Sequence, residues 1–233
     1  MTIWAVLPAA GVGRRVGSST PKQYLDVGAT PLILHSLRRL SAVSAIEKII
    51  VVVHPDDCYW SQLYSSIEAE FEDRIESVIG GDERYQSVLN GLLSLATKAK
   101  SDDWVLVHDA VRPCIRKEDI NKLIEEVADD KVGGILANRI VDTVKQINNG
   151  GLVSTIDRQK LYIAQTPQMF RYAILKDSIE KAIESNMHIT DESEALESLN
   201  YSIRIVEGSS SNIKITTQED IHLANYFLKH HEY

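Results

Sequence analysis

The chain has 233 residues, 44% hydrophobic and 25% charged, an ordinary globular composition with enough apolar material for one large α/β core. Its formal net charge of −8 argues against a nucleic-acid-binding surface, and no apolar run approaches the roughly 20 residues of a membrane span. Two cysteines, Cys58 and Cys114, make neither a disulfide framework nor a zinc site, and with no charged-then-apolar leader ahead of the first strand they fit a cytoplasmic setting.

Short apolar runs alternate with helical patterns. Strands are predicted near Ile3–Leu7, Lys48–Val53, Ile75–Ile79, Trp104–His108 and Val132–Asn138, with helices near Pro31–Leu40, Asp57–Phe71, Arg84–Lys98 and Lys117–Ala128 between them. That alternation predicts a mainly parallel central sheet flanked by helices on both faces, whose ligands bind beyond the carboxyl ends of the strands. Ile140–Ile147 and Leu152–Ile156 flank Asn148-Asn149-Gly150-Gly151, a hairpin signal. A lone hairpin is marginal in water, so this one packs either on a second subunit or as a flap over the crevice. Helices near Tyr172–Ser185 and Asp191–Leu199, the second with Thr190 as its cap, a strand near Ile203–Val206 and a helix near Gln218–Lys229 complete one domain over residues 1–233, with the hairpin arm at about 138–160.

Three predicted strand ends carry polar clusters. The first, Pro8-Ala9-Ala10-Gly11-Val12-Gly13-Arg14-Arg15, runs from a strand into glycines and fixed positive charge, with Lys22 shortly behind, and suits phosphate. The alternative is a plain glycine turn with solvated arginines. A dinucleotide fingerprint from Gly11 would need glycine where Val16 stands, and a P-loop would need Gly-Lys where Val16-Gly17 stand, so neither motif is present. The second cluster is Gly80-Gly81-Asp82-Glu83-Arg84, in which Asp82 either contacts a ligand or caps the next helix, with Ser87 one turn further on. In the third, His108-Asp109-Ala110-Val111-Arg112-Pro113, Asp109 suits a divalent cation beside phosphates and His108 is a structural histidine. Arg112, Arg158 and Lys214 add cations, although a lysine in a strand usually faces solvent. No G-x-S-x-G elbow or Cys–His pairing supports a hydrolytic nucleophile.

Taken with Pro21-Lys22-Gln23-Tyr24, Asp157-Arg158, Gln165-Thr166-Pro167-Gln168, Thr190-Asp191-Glu192 and Asn212-Ile213-Lys214-Ile215-Thr216, these blocks make the chain resemble, nearly end to end, the 2-C-methyl-D-erythritol 4-phosphate cytidylyltransferases (IspD family) of the non-mevalonate isoprenoid pathway. The resemblance implies a nucleotide-diphospho-sugar-transferase-like fold, a homodimer joined through the hairpin arms, and transfer of CMP from CTP to a sugar-alcohol phosphate with Mg²⁺ or another divalent cation. It further implies that Arg15, Lys22, Arg158 and Lys214 are catalytic. Pro8, Ala9, Ala10, Gly11, Gly13, Arg15, Lys22, Gly81, Asp82, Ser87 and Ala110 would bind CTP. Asp109, Arg112, Thr143, Arg158 and Lys214 would hold the acceptor, Thr143 and Arg158 in the neighbouring subunit's site, and Asp109 would be the metal ligand. Val16 departs from the methionine many members carry, and Ser210-Ser211 precede Asn212 where an acidic residue is common, which bears on how Lys214 is oriented. Two rival expectations are a ribitol 5-phosphate cytidylyltransferase, disfavoured by Pro8-Ala9-Ala10-Gly11 and by the Thr190–Leu196 pattern, and a catalytically silent CTP sensor, disfavoured by the presence of Arg15, Lys22 and Lys214.

Overall fold

The protein is described by a computed structural model covering residues 1–11, 20–148 and 150–230. Gly13, Arg15 and Val16 therefore lie outside the described residues. The elements in order are β1 (Ile3–Pro8), β2 (Asp26–Val27), β3 (Thr30–Pro31), α1 (Leu32–Ser41), β4 (Ile46–Val53), α2 (Trp60–Ile67), β5 (Ile75–Ile79), α3 (Arg84–Ser94), β6 (Trp104–Val107), α4 (Lys117–Val127) and β7 (Gly133–Arg139). They continue through β8 (Val144–Ile147), β9 (Val153–Ile156), β10 (Tyr162–Arg171), α5 (Tyr172–Glu184), α6 (Glu192–Glu197), β11 (Arg204–Glu207) and α7 (Gln218–His230).

Seven strands form the central sheet in the order β11-β7-β10-β6-β1-β4-β5. Every described neighbour pair is parallel except those made by β10, which runs antiparallel to β6 and β7. Alternate side chains of one strand serve two cores. Ala5, Leu7, Ile49, Val51 and Leu106 meet Leu37 and Leu40 of α1, Trp60 of α2 and Leu123 of α4 on one face. Trp4, Val6, Ile50, Val52 and Val105 meet Val88 and Leu92 of α3 and Leu175 and Ile179 of α5 on the other. With both faces covered, the central strands β1 and β6 are apolar almost without interruption, the pattern a buried parallel sheet requires, while the edge strands β5 and β11 include exposed polar residues.

The hairpin arm pairs β8 with β9 as a separate two-stranded sheet, with Val144 opposite Ile156 and Ile147 opposite Val153. Gly150 and Gly151 take φ of +106° and +81°, which only glycine adopts without strain. Val141, Ile147, Leu152 and Val153 are exposed on the arm. The arm thus presents apolar side chains to solvent.

Three local expectations change. Asp82 does not cap α3; Glu83 is the cap residue, its N–H bonded to Gln86 Oε1 at 3.0 Å. The cap of α6 is Asp191, which accepts from Glu194 N, and Thr190 stands one residue before it. The segment around Lys214 belongs to no regular strand; Ile215 N bonds to Val111 O at 2.9 Å and Ile215 is fully buried.

Candidate active site

The carboxyl ends of β1, β5 and β6 deliver the three polar clusters to one crevice, as the strand pattern predicts for a parallel sheet. Close approach is enforced at Gly80: a Cβ there would fall 2.6 Å from Ala10 Cβ and 2.7 Å from Ser87 Oγ. The missing side chain lets the start of α3 lie against the β1 loop. Gly81 N then donates to Ser87 Oγ at 3.1 Å, and the buried Gln23 amide donates to Ala9 O at 2.7 Å. Gln23 belongs to a 3₁₀ turn, Lys22–Tyr24, so this bond ties the turn carrying Lys22 to the first strand's loop.

The result is a cavity of ≈ 190 Å³ whose wall includes Pro8, Ala9, Ala10, Gly11, Lys22, Gly81, Asp82, Ser87, Asp109, Ala110 and Lys214. Every described residue that the sequence points to for the nucleotide lies in that wall. A second cavity of ≈ 170 Å³ adjoins it, lined by Arg112, Thr166, Gln168, Thr190 and Asp191 among others. Arg84, Asp109 and Lys214 belong to both. Thr143 and Arg158 line neither; both are exposed on or beside the arm, where an Arg158 Nη donates to Val141 O.

Asp109 is the hub of the shared wall. Its Oδ1 accepts from Arg84 Nε at 2.9 Å, while Oδ2 lies 2.9 Å from Lys214 Nζ and 3.6 Å from Arg112 Nε. Burial alone raises a carboxyl's pKa, but Arg84, Lys214 and Arg112 outweigh that here and hold Asp109 ionised far below the usual range. Arg84 also reaches the fully buried Glu192 of α6 with Nη1 at 2.6 Å and Nη2 at 3.1 Å. Burial raises the Glu192 carboxyl's pKa, and the Arg84 guanidinium beside it pulls the other way.

Beneath it, His108 is fully buried between Thr166 Oγ1, 3.1 Å from Nδ1, and Arg112 O, 3.2 Å from Nε2. Burial pushes its pKa down to about 4, so it is neutral at physiological pH and serves as the structural histidine expected. Asn212 Nδ2 donates to Thr166 O at 2.8 Å and Arg112 Nη1 to Asn212 O at 2.9 Å, which fixes the segment leading to Lys214 despite the serines before it.

Among the described residues, no group of three or more His, Cys, Asp or Glu side chains is gathered to hold a metal ion. Asp109 supplies hard oxygen donors of the kind Mg²⁺ prefers, yet both oxygens already face cations. That donor set fits a cation bound chiefly by its ligand's own phosphates, not one caged by protein. Arg84, Glu192 and Gln23 had no role assigned from sequence. Arg84 and Glu192 sit on first helical turns where exposed charge is routine, and only the tertiary packing reveals them.

A mainly parallel sheet flanked by helices, with its crevice at the carboxyl edge, makes the chain an α/β protein of the class that binds ligands beyond its strand ends, the architecture that the resemblance to nucleotide-diphospho-sugar-transferase-like proteins implies. The family model for IspD, 2-C-methyl-D-erythritol 4-phosphate cytidylyltransferase, matches residues 3–230. The protein of that description from Pseudomonas entomophila (strain L48) is 44% identical over 220 residues, covering 94% of this chain and 92% of its own. Its counterpart from Hahella chejuensis (strain KCTC 2396) is 41% identical over 228 residues, covering 97% and 93%. The crystal structure of 4-diphosphocytidyl-2C-methyl-D-erythritol synthase from Anaerococcus prevotii DSM 20548 superposes with a TM-score of 0.85 at 34% identity, covering 98% of this chain and 96% of that one. The chain belongs to the 2-C-methyl-D-erythritol 4-phosphate cytidylyltransferase family.

Proposed function

We propose that this protein transfers CMP from CTP to 2-C-methyl-D-erythritol 4-phosphate, releasing pyrophosphate, as a step of non-mevalonate isoprenoid synthesis in the cytoplasm. The observation that carries the reading is the pair of adjoining cavities with a common wall of Arg84, Asp109 and Lys214. CTP occupies the first, where Ala9, Ala10, Gly81 and Ser87 leave room for a pyrimidine and Asp82 accepts from its exocyclic amine. The acceptor occupies the second, its phosphate drawn by Arg112 and Lys214.

A phosphate monoester is ionised near neutral pH, so one of its oxygens attacks the α-phosphorus directly. The bond from that phosphorus to the bridging oxygen breaks, and pyrophosphate leaves with the electron pair. No general base is required, and positioning plus charge stabilisation carry the rate. Lys22 and, by family resemblance, Arg15 stabilise charge on the α-phosphoryl group and the leaving pyrophosphate; Pro8, Gly11 and Ala110 line the pocket, and Gly13 joins the CTP-binding set by resemblance alone. Mg²⁺ held by the triphosphate beside Asp109 would neutralise charge that the protein cations leave unmatched.

The protein acts as a homodimer. The apolar residues exposed on the arm support a partner there, since a free two-stranded hairpin is marginal in water. In that dimer Thr143 and Arg158 of one subunit complete the acceptor site of the other. Phosphorus NMR of a reaction with both substrates tests the chemistry: a new diphosphate diester signal appearing with free pyrophosphate is expected, and inorganic phosphate as the sole new species would refute the transfer.

A further inference from the structure

Glu192 is the most buried carboxylate of the crevice region, 1% exposed, yet it lines neither cavity. An ion buried so deeply costs several kcal/mol in lost hydration, so a mere tie between helices would be served as well by an apolar contact. Its position is over-determined. Gln168 Nε2 donates to Asp191 Oδ2 at 2.9 Å and Gln168 Oε1 accepts from Ser193 N at 2.9 Å, which pins both sides of Glu192 to β10.

From there the contacts lead in one direction. The carboxylate receives two parallel N–H bonds from Arg84, which fixes the plane of the guanidinium, and the third donor of that plane, Nε, is aimed at Asp109 Oδ1. Asp109 in turn holds Lys214 Nζ with its other oxygen. Without Glu192 the Arg84 guanidinium would lose the two bonds that fix its plane, and with them the aim of Nε at Asp109. We propose that Glu192 is a positioning residue, acting through Arg84 to keep Asp109 and Lys214 in the geometry that receives the acceptor. This rests on the acceptor occupying the second cavity.

The test is Glu192→Gln, Arg84→Gln and the double variant. In Glu192→Gln the acceptor KM rises ~10-fold, the scale of coupling within one ion-pair network, while the calorimetric Kd for CTP stays within about twofold of wild type. In the Arg84→Gln background, adding Glu192→Gln changes nothing further. A fall in thermal stability with unchanged acceptor KM, or equal losses for both substrates, would make Glu192 merely structural, and additive effects in the cycle would overturn its action through Arg84. Should Glu192→Gln fail to fold, the double variant, which removes both charges, decides: kinetics equal to Arg84→Gln support the proposal and worse kinetics refute it. The protected Arg84 Nε–H NMR signal, identified by its loss in Arg84→Gln, broadens or vanishes in Glu192→Gln; an unchanged signal overturns the proposal. This last readout needs no turnover, so it still decides the matter if wild type fails to use the acceptor, an outcome that would sink the functional reading instead.

Discussion

Lys22 rides on a short turn that is held on both flanks by its neighbours. Gln23 anchors it to Ala9 O, and the Tyr24 hydroxyl donates to Asp57 Oδ2 at 2.7 Å while its ring stacks on Tyr59. Lys22→Ala thus removes a charge without dismantling the turn. Turnover is expected to fall at least ~10²-fold, as when one charge-stabilising donor is deleted elsewhere, with the melting temperature nearly unchanged. Wild-type turnover would take Lys22 out of the mechanism. His108 makes a different prediction. Its folded pKa of about 4 lies below the unfolded value near 6.5, so between those values the unfolded chain binds the extra proton and stability rises with pH. Lowering the pH from about 6.5 to 4 should cost of order 3 kcal/mol through this group, and the lowered pKa of the partly buried His35 adds in the same sense. Denaturant melts across that window should flatten in His108→Asn; an unchanged pH slope would contradict the assignment.

At the scale of elements, α3 is seated by a glycine. A Cβ at Gly91 would stand 2.7 Å from Val6 Cγ1 and 3.1 Å from Val52 Cγ2, so the helix lies closer to β1 and β4 than alanine permits. Gly91→Ala should destabilise by about 1–3 kcal/mol through overpacking, outweighing alanine's better helix propensity, as urea melts would show. Because α3 also carries Arg84 and Ser87 into the crevice, CTP affinity should weaken with it.

Much of this architecture was readable from the chain. Strands buried on both faces announce themselves as apolar runs, as β1 does over Ile3–Pro8 against an expected Ile3–Leu7, and the half-exposed edge strand β5 is Ile75–Ile79, the span expected. By contrast β10 escaped notice, because Gln165-Thr166-Pro167-Gln168 interrupts it with polar side chains and a residue lacking an N–H. Its pairing with β7 breaks at that point, between Ala164 and Gln168, and the polar residues there are spent on the site: Thr166 accepts from Asp109 N, and Gln168 holds α6. Site residues on strand-end loops were legible because glycines and charges cluster after three predicted strands, at 8–15, 80–84 and 108–113, where a parallel sheet binds its ligands. Glu192, whose partner lies 108 positions away, was not.

For the molecule as a whole, the proposed acceptor site takes residues from two subunits. The arm's exposed apolar side chains and Arg158 line neither cavity of their own chain. Ile147→Asp on the arm should shift sedimentation toward monomer and depress turnover together; a fully active monomer would refute shared sites. Mixing Lys22→Ala with Arg158→Ala should restore part of the activity each lacks alone, since a mixed dimer contains one site free of both changes. No recovery after subunit exchange would place Arg158 in its own subunit's chemistry.

The most direct test of the central claim is pyrophosphate release by the purified protein with CTP and Mg²⁺, comparing 2-C-methyl-D-erythritol 4-phosphate with ribitol 5-phosphate. Strong release is expected with the first acceptor and little with the second. Preference for ribitol 5-phosphate, or measurable CTP binding with no release from either acceptor, would contradict it.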